Sequence, residues 1–156
     1  MKRNLDEIRQ EVERITDGAG KRVDEKIKPL VIGLRWLGFE TQNSCQGHFT
    51  CLLDVLKKPW YCFRGFHLSW SAEDCLPWVQ ITIHSGDRER IEKLLSMWTS
   101  SYQWIFEGLT DEIWRLRPQG RWWNLRELQR ESLNLGFFLQ QLPEDLFDRL
   151  EGGGSL

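Results

Sequence analysis

A thiol and an imidazole lie three residues apart in the stretch Gly38-Phe-Glu-Thr-Gln-Asn-Ser-Cys-Gln-Gly-His48. Gly47 permits backbone conformations that are closed to other residues, and consecutive amides in such a turn can hold an anion. Ser44 adds a hydroxyl, Cys45 a potential thiolate, and His48 a side chain that titrates near neutral pH. The leading hypothesis is therefore that residues 44–48 bind an anionic ligand, nucleotide-like or phosphate-bearing. The structural alternative is a tight turn with a packed Cys45 and an exposed His48.

The same stretch begins a run of potential metal ligands: Cys45, His48, Cys51, Cys62, His67, Cys75 and His84. A structural zinc site uses four such ligands in a tetrahedron, usually starting from a closely spaced cysteine pair. No Cys-x2-Cys pair is present, so Cys45 and His48 would form the first half, and Cys62, His67 or His84 would complete it. Zinc is thus a possible cofactor, and a metal-dependent hydrolase is an alternative function.

Cys45 could also act as a nucleophile in a transferase-type enzyme. A catalytic thiol needs a base within hydrogen-bond reach, and His48 or His84 could supply it. Cys45 and His48 are therefore the catalytic candidates, with His84 as a third member of the predicted site. Whether the protein is an enzyme is left open by the sequence.

The residues of this stretch also carry a resemblance. The matching positions are Pro29-Leu-Val31, Gly38, Phe39, Thr41, Ser44, Cys45, Gly47, His48 and Pro77-Trp-Val79. They resemble a family of small, largely uncharacterised bacterial and bacteriophage proteins with the motif Gly-Phe-x-Thr-x-x-Ser-Cys-x-Gly-His. The resemblance implies a functional loop and no particular activity. A more distant similarity, confined to Ser-Cys-x-Gly, is to wybutosine-synthesising tRNA methyltransferases, where an arginine follows; His48 stands there instead, which argues against methyl transfer.

A second region combines arginines with adjacent tryptophans, in Arg115-Leu-Arg-Pro-Gln-Gly-Arg-Trp-Trp-Asn-Leu-Arg126. Arginine pairs with phosphate and tryptophan stacks on bases, so Arg115 and Arg117 are assigned to the ligand site. In the alternative interpretation, Trp122 and Trp123 pack against the last helix while the arginines pair with carboxylates. The net charge of −2 makes nucleic acid a possible but not a favoured partner. With nine tryptophans in the chain, a third hypothesis is an accessory factor, bacterial or phage-encoded, that binds a protein partner through exposed indoles.

The length of 156 residues predicts one domain, residues 1–150, followed by a flexible tail, residues 151–156. The longest apolar runs are too short to span a membrane, and the N-terminus lacks the apolar core of a secretory signal. Reduced cysteines and a cytoplasmic location are therefore expected. The oligomeric state cannot be predicted.

Periodicity predicts helices over residues 5–15, 24–37, 87–98 and 124–141, with Asn124 and Glu127 as a capping box. The regular part of the second helix is expected to begin near Lys28, because Pro29 is tolerated only in a first turn. Alternation predicts strands over residues 39–43, 78–84, 104–109 and 113–117, whereas residues 49–77 give no clear prediction. This order predicts an α+β fold with a mixed or antiparallel sheet of about four strands and helices packed on one face. Val79, Ile81 and Ile83 would face the helices, leaving His84 on the open face beside the loop.

Overall fold

The computed structural model describes residues 4–16, 20, 22–47 and 76–151, without the side chains of Trp122 and Glu151. Five helices lie in these ranges: α1 (Leu5–Arg14), α2 (Lys28–Trp36), α3 (Asp87–Met97), α4 (Leu125–Gln141) and α5 (Leu146–Glu151). The four strands are β1 (Glu40–Cys45), β2 (Trp78–Thr82), β3 (Trp104–Gly108) and β4 (Ile113–Pro118). A single 3-10 turn, Trp122–Asn124, precedes α4. None of the described helices is both long and apolar enough to cross a bilayer.

The four strands form one sheet in the order β1-β2-β4-β3, and every neighbouring pair is antiparallel. The predicted α+β class is therefore confirmed, with the antiparallel rather than the mixed sheet. Val79, Ile81 and Leu116 are buried and join side chains of the helices in the main core. Val79 lies opposite Leu116 in the register, so these residues share the helix-covered face of the sheet.

The ends of the first two helices follow their sequence signals. The Asn4 side chain accepts a hydrogen bond from the Asp6 amide at 3.0 Å and caps α1. Helix α2 begins at Lys28, as the position of Pro29 predicts, because proline fits only the first turn of a helix. Gly38 follows α2 with φ of 90°, the left-handed conformation expected for a glycine that ends a helix. The amide of Phe39 then donates to the Leu34 carbonyl, which turns the chain into β1.

Helices α2 and α4 cross with their backbones in close contact at two glycines. A Cβ atom built on Gly136 would lie 2.3 Å from the backbone nitrogen of Leu30, and one built on Gly33 would lie 2.7 Å from the Cβ of Leu139. Non-bonded carbon atoms are optimally separated by about 3.5–4.0 Å, and Cβ atoms essentially never lie closer than 3.0 Å to another heavy atom. The crossing therefore depends on the absence of side chains at both positions.

The start of α4 differs from the predicted capping box. Asn124 makes no side-chain hydrogen bond to the helix amides. Its Nδ2 instead donates to Glu127 Oε2 at 3.0 Å, and the Tyr102 hydroxyl donates a short hydrogen bond to the same oxygen. Hydrogen bonding by Tyr102 lowers the pKa of Glu127, and the bond to Glu127 raises the pKa of Tyr102. Glu127 thus fastens α4 to the segment before β3 instead of completing a cap.

Tyr102→Phe is expected to lower the free energy of unfolding slightly near neutral pH and hardly at all in acid. The folded-state pKa of Glu127 lies below its ordinary value of 4.5. Its contribution is therefore fully present above that value and is lost as the pH falls through the lowered one. Urea unfolding of wild type and variant near neutral pH and at about pH 3 checks this. An equal difference between the two proteins at both pH values would mean that the hydroxyl acts independently of Glu127.

Candidate functional site

Strand β1 continues through the first half of the stretch that the sequence assigns to a loop. The predicted strand ends at residue 43, whereas Ser44 pairs with Val79 and Cys45 pairs with Trp78. A register shift lies between Thr41 and Ser44, so Gln42 and Asn43 together stand opposite one residue of β2. This is a β-bulge, which inserts a residue without ending the pairing. Ser44 and Cys45 are therefore strand residues.

Side-chain hydrogen bonds hold the bulge. Gln42 Nε2 donates to Thr82 Oγ1 at 2.8 Å, and Asn43 Nδ2 donates to Gln80 Oε1 at 3.1 Å. Beyond the bulge, Ser44 shares the face of Val79, toward the helices, and Cys45 shares the face of Trp78. The predicted hydroxyl and thiol thus lie on opposite faces of the sheet.

The two residues after β1 are fixed by contacts from distant elements. The Gln46 amide donates to Asp24 Oδ2 at 3.3 Å, and the Lys26 amide donates to Gln46 Oε1 at 3.1 Å. The buried Gln129 of α4 donates through Nε2 to the Gly47 carbonyl at 3.0 Å. Gly47 itself has φ of 78°, so the predicted need for glycine at this position is confirmed.

The predicted amide nest has internal acceptors at both of its described amides. Gln46 N–H donates to the Asp24 carboxylate, and Gly47 N–H donates to Cys45 Sγ at 3.3 Å. The Cys45 side chain is half-buried. The Gln46 amide therefore binds a carboxylate of the protein itself.

The sheet face opposite the helices carries an ordered set of polar side chains and is called the polar face below. Gln80, Arg115 and Glu107 lie side by side across three strands. Arg117 lies two residues from Arg115 and so shares its face. Its Nε donates to Glu107 Oε1 at 2.8 Å, and its side chain is buried. The guanidinium carbon of Arg115 lies 5.2 Å from the centroid of the Trp78 ring.

His84 lies at the far end of the polar face from Cys45. Its Nε2 is 3.2 Å from Glu40 Oε2, and its side chain is well exposed. Cys45 is opposite Trp78, six residues before His84, and an extended chain rises about 3.3 Å per residue. The distance between Cys45 and His84 is therefore roughly 20 Å. The structure does not bring Cys45 and His84 together, either as a catalytic pair or as ligands of one metal.

The remaining metal and catalytic candidates lie outside the described residues: His48, Cys51, Cys62, His67 and Cys75. Within the ranges that the structure describes, no three histidine, cysteine or acidic side chains are grouped so as to hold a metal ion. Zinc binding stays a prediction.

Sequence reasoning found some members of the polar face and missed others. Arg115 and Arg117 are two residues apart in one strand, so the sequence alone predicts that they share a face. Trp78 precedes Val79, so strand alternation places it on the open face, but its contact with Arg115 depends on the pairing of β2 with β4. The contacts of Asp24 and Gln129 with the motif join residues far apart in the chain, and no local pattern predicts them.

No protein-family model, curated protein or solved structure matches the chain. Function must therefore be inferred from the geometry.

Proposed function

We propose that the protein binds an anionic ligand, nucleotide-like or phosphate-bearing, on the polar face beside the Cys45 end of β1. One observation supports this above all. Strand pairing brings Cys45, Trp78, Arg115 and Arg117, which come from three separate parts of the chain, onto the same face. Cys45, Arg115 and Arg117 all belong to the ligand site predicted from the sequence.

The chemistry of this group suits a phosphate beside a planar ring. Arg115 and Arg117 lie on one strand, and Arg117 pairs with Glu107, the residue of β3 opposite Arg115. A guanidinium stacked on an indole is held in orientation and can still donate in its own plane, which suits bidentate contact with a phosphate. The Trp78 ring can add stacking with a base.

In this proposal the turn formed by Gln46 and Gly47 after β1 positions the site, and the amides of these two residues do not bind the ligand. Gln46 and Gly47 donate to acceptors within the chain, and Gln129 fixes the Gly47 carbonyl. These contacts set the end of β1 and hence the place of Cys45 beside Trp78. Ser44 lies on the helix-covered face of the sheet, and His84 lies at the end of the polar face away from Cys45. Neither residue is assigned to the ligand.

Arg115→Gln is expected to remove about half or more of the stabilisation that a ligand gives. A ligand at a hundred times its Kd stabilises the folded state by about 2.7 kcal/mol, which raises the Tm of a protein of this size by roughly 5 to 10 °C. Losing one charge-assisted contact costs about 1.5–3 kcal/mol, so binding weakens by roughly 10- to 100-fold. Thermal unfolding with inorganic phosphate, pyrophosphate and nucleoside monophosphates measures the effect.

Arg88→Gln is the matched control. Arg88 also lies 5.2 Å from a tryptophan ring, that of Trp114, which is opposite Ile81 and so on the other sheet face. This variant is expected to keep the full ligand-induced rise in Tm. The proposal is wrong if none of the probes stabilises the wild type, or if Arg115→Gln responds to them as the wild type does.

A further inference from the structure

Helix α4 begins with two parallel stripes of opposite charge. Arg126 and Arg130 are four residues apart, as are Glu127 and Glu131, so each pair lies along one side of the helix. The stripes are offset by one residue, which is about 100° around an α-helix. The two stripes are therefore directed to different sides of the helix, although Arg130 lies three residues from Glu127 and interacts with it electrostatically.

The acidic stripe is occupied by donors from the rest of the protein. Glu131 Oε1 accepts from the indole nitrogens of Trp98 at 2.7 Å and Trp104 at 3.1 Å. Glu127 accepts from Tyr102 and Asn124. Both carboxylates are directed toward the aromatic side chains before and within β3.

The basic side of α4 faces solvent. Arg126 and Arg130 are exposed, and so is Arg121, just before the helix. In the described part of the chain, no acidic side chain forms an ion pair with any of the three. The arginines thus form a local positive patch on a chain of slightly negative net charge.

An exposed indole lies at the same end of α4. Trp123 keeps 63% of its surface exposed, and the Arg121 guanidinium lies 5.8 Å from its ring centroid. In the alternative predicted from the sequence, Trp122 and Trp123 pack against the last helix and the arginines pair with carboxylates. Arg117 does pair with Glu107, whereas Trp123 is exposed, and the Trp122 side chain lies outside the described residues. Large exposed indoles next to cations are typical of surfaces that stack on bases.

We infer that this surface, formed by Arg121, Trp123, Arg126 and Arg130, binds single-stranded nucleic acid. The arginines contact phosphates, which provides affinity without sequence preference. The indole stacks on an unpaired base, and this favours a single strand because the bases of a duplex are already stacked on each other. The inference is independent of the polar face, whose residues lie on the sheet.

Fluorescence anisotropy with labelled oligo(dT) and oligo(U) of about twelve nucleotides tests it. Trp123→Ala is expected to weaken binding by about 5- to 150-fold, the range measured for loss of one stacked base. Each arginine that contacts a phosphate adds about 0.7 to the slope of log K against log salt for single strands. Arg126→Gln combined with Arg130→Gln should therefore lower that slope by roughly 1.4 between about 25 and 200 mM NaCl.

Two variants serve as controls. Phe137→Ala removes another exposed aromatic side chain of α4, about 18 Å along the helix from its first residue. Arg149→Gln removes an exposed arginine of α5 that pairs with Asp145, just before that helix. Both should bind the oligonucleotides as the wild type does.

Several outcomes would overturn the inference. One is no binding at the lowest salt, and another is equally tight binding of a duplex of the same length. A third is that Trp123→Ala has no effect although its thermal unfolding matches that of the wild type. A fourth is that Arg115→Gln abolishes oligonucleotide binding while the α4 variants do not, which would place the nucleic acid on the polar face and support the proposed function there. Retained binding in Arg115→Gln, with loss in the α4 variants, supports the inference whatever happens to the small-ligand proposal.

Discussion

Gly136→Ala is expected to lower the free energy of unfolding by about 3 kcal/mol. The new Cβ would lie 2.3 Å from both the Leu30 nitrogen and the carbonyl carbon of Pro29. These are backbone atoms of α2, so no side-chain rotation can relieve the contact, and the two helices must separate. Alanine has the better helix propensity by about 1 kcal/mol, which offsets only part of the cost. Equilibrium urea unfolding followed by tryptophan fluorescence measures the difference.

Asn134→Ala is the control for this prediction. Asn134 lies two residues earlier on the same helix and is exposed. Its replacement should be neutral or slightly stabilising, because the change affects helix propensity and no packing. If Gly136→Ala proves as stable as Asn134→Ala, the α2–α4 crossing is wider than described.

Phe39→Ala is expected to cost about 3–5 kcal/mol, the range for removing a buried aromatic ring. Phe39 is 2% exposed and meets Phe147 edge to face, with ring centroids 5.8 Å apart at 81°. The Arg90 guanidinium lies over both rings, at 5.4 Å from Phe39 and 4.0 Å from Phe147. The substitution leaves a cavity at the junction of β1, α3 and α5. It also removes one of the two aromatic rings that the Arg90 guanidinium contacts.

The same chemical change at Phe137 provides the comparison. Phe137 keeps 49% of its surface exposed, so Phe137→Ala should change stability by no more than about 0.5 kcal/mol. Similar losses at both positions would show that Phe39 is not a core anchor. A double-mutant cycle with Phe147→Leu should give a coupling of about 0.5–1.5 kcal/mol beyond the area buried.

Much of the fold could be predicted because its signals are local. The 3–4 spacing of apolar residues in α1 and α4, and the alternation in Trp78–Thr82, report directly on which side of an element is buried. Gly38 and Phe39, which begin the motif, are structural: one ends α2 and the other fills the core. The capping box predicted at Asn124 does not form, and the cause is tertiary. Glu127 accepts hydrogen bonds from the Tyr102 hydroxyl and the Asn124 side chain instead.

The site was harder to predict because its geometry depends on one inserted residue. Nothing in the letters Gln42-Asn43 indicates that both stand opposite a single residue of β2. Without the bulge, Ser44 would share the face that Cys45 now occupies, since side chains alternate along a strand. Asp24 and Gln129 could not be assigned to the motif either, because hydrogen bonds between distant segments have no sequence period.

The bulge has a further consequence for how the molecule behaves at high concentration. Strand β1 lies at one edge of the described four-stranded sheet, and edge strands can template the addition of a strand from another chain. A regular strand approaching β1 would lose its hydrogen-bond register beyond Thr41, where the extra residue changes the spacing of the peptide groups. The insertion that directs Cys45 to the polar face thus also protects this edge against intermolecular β-pairing and the aggregation that follows from it.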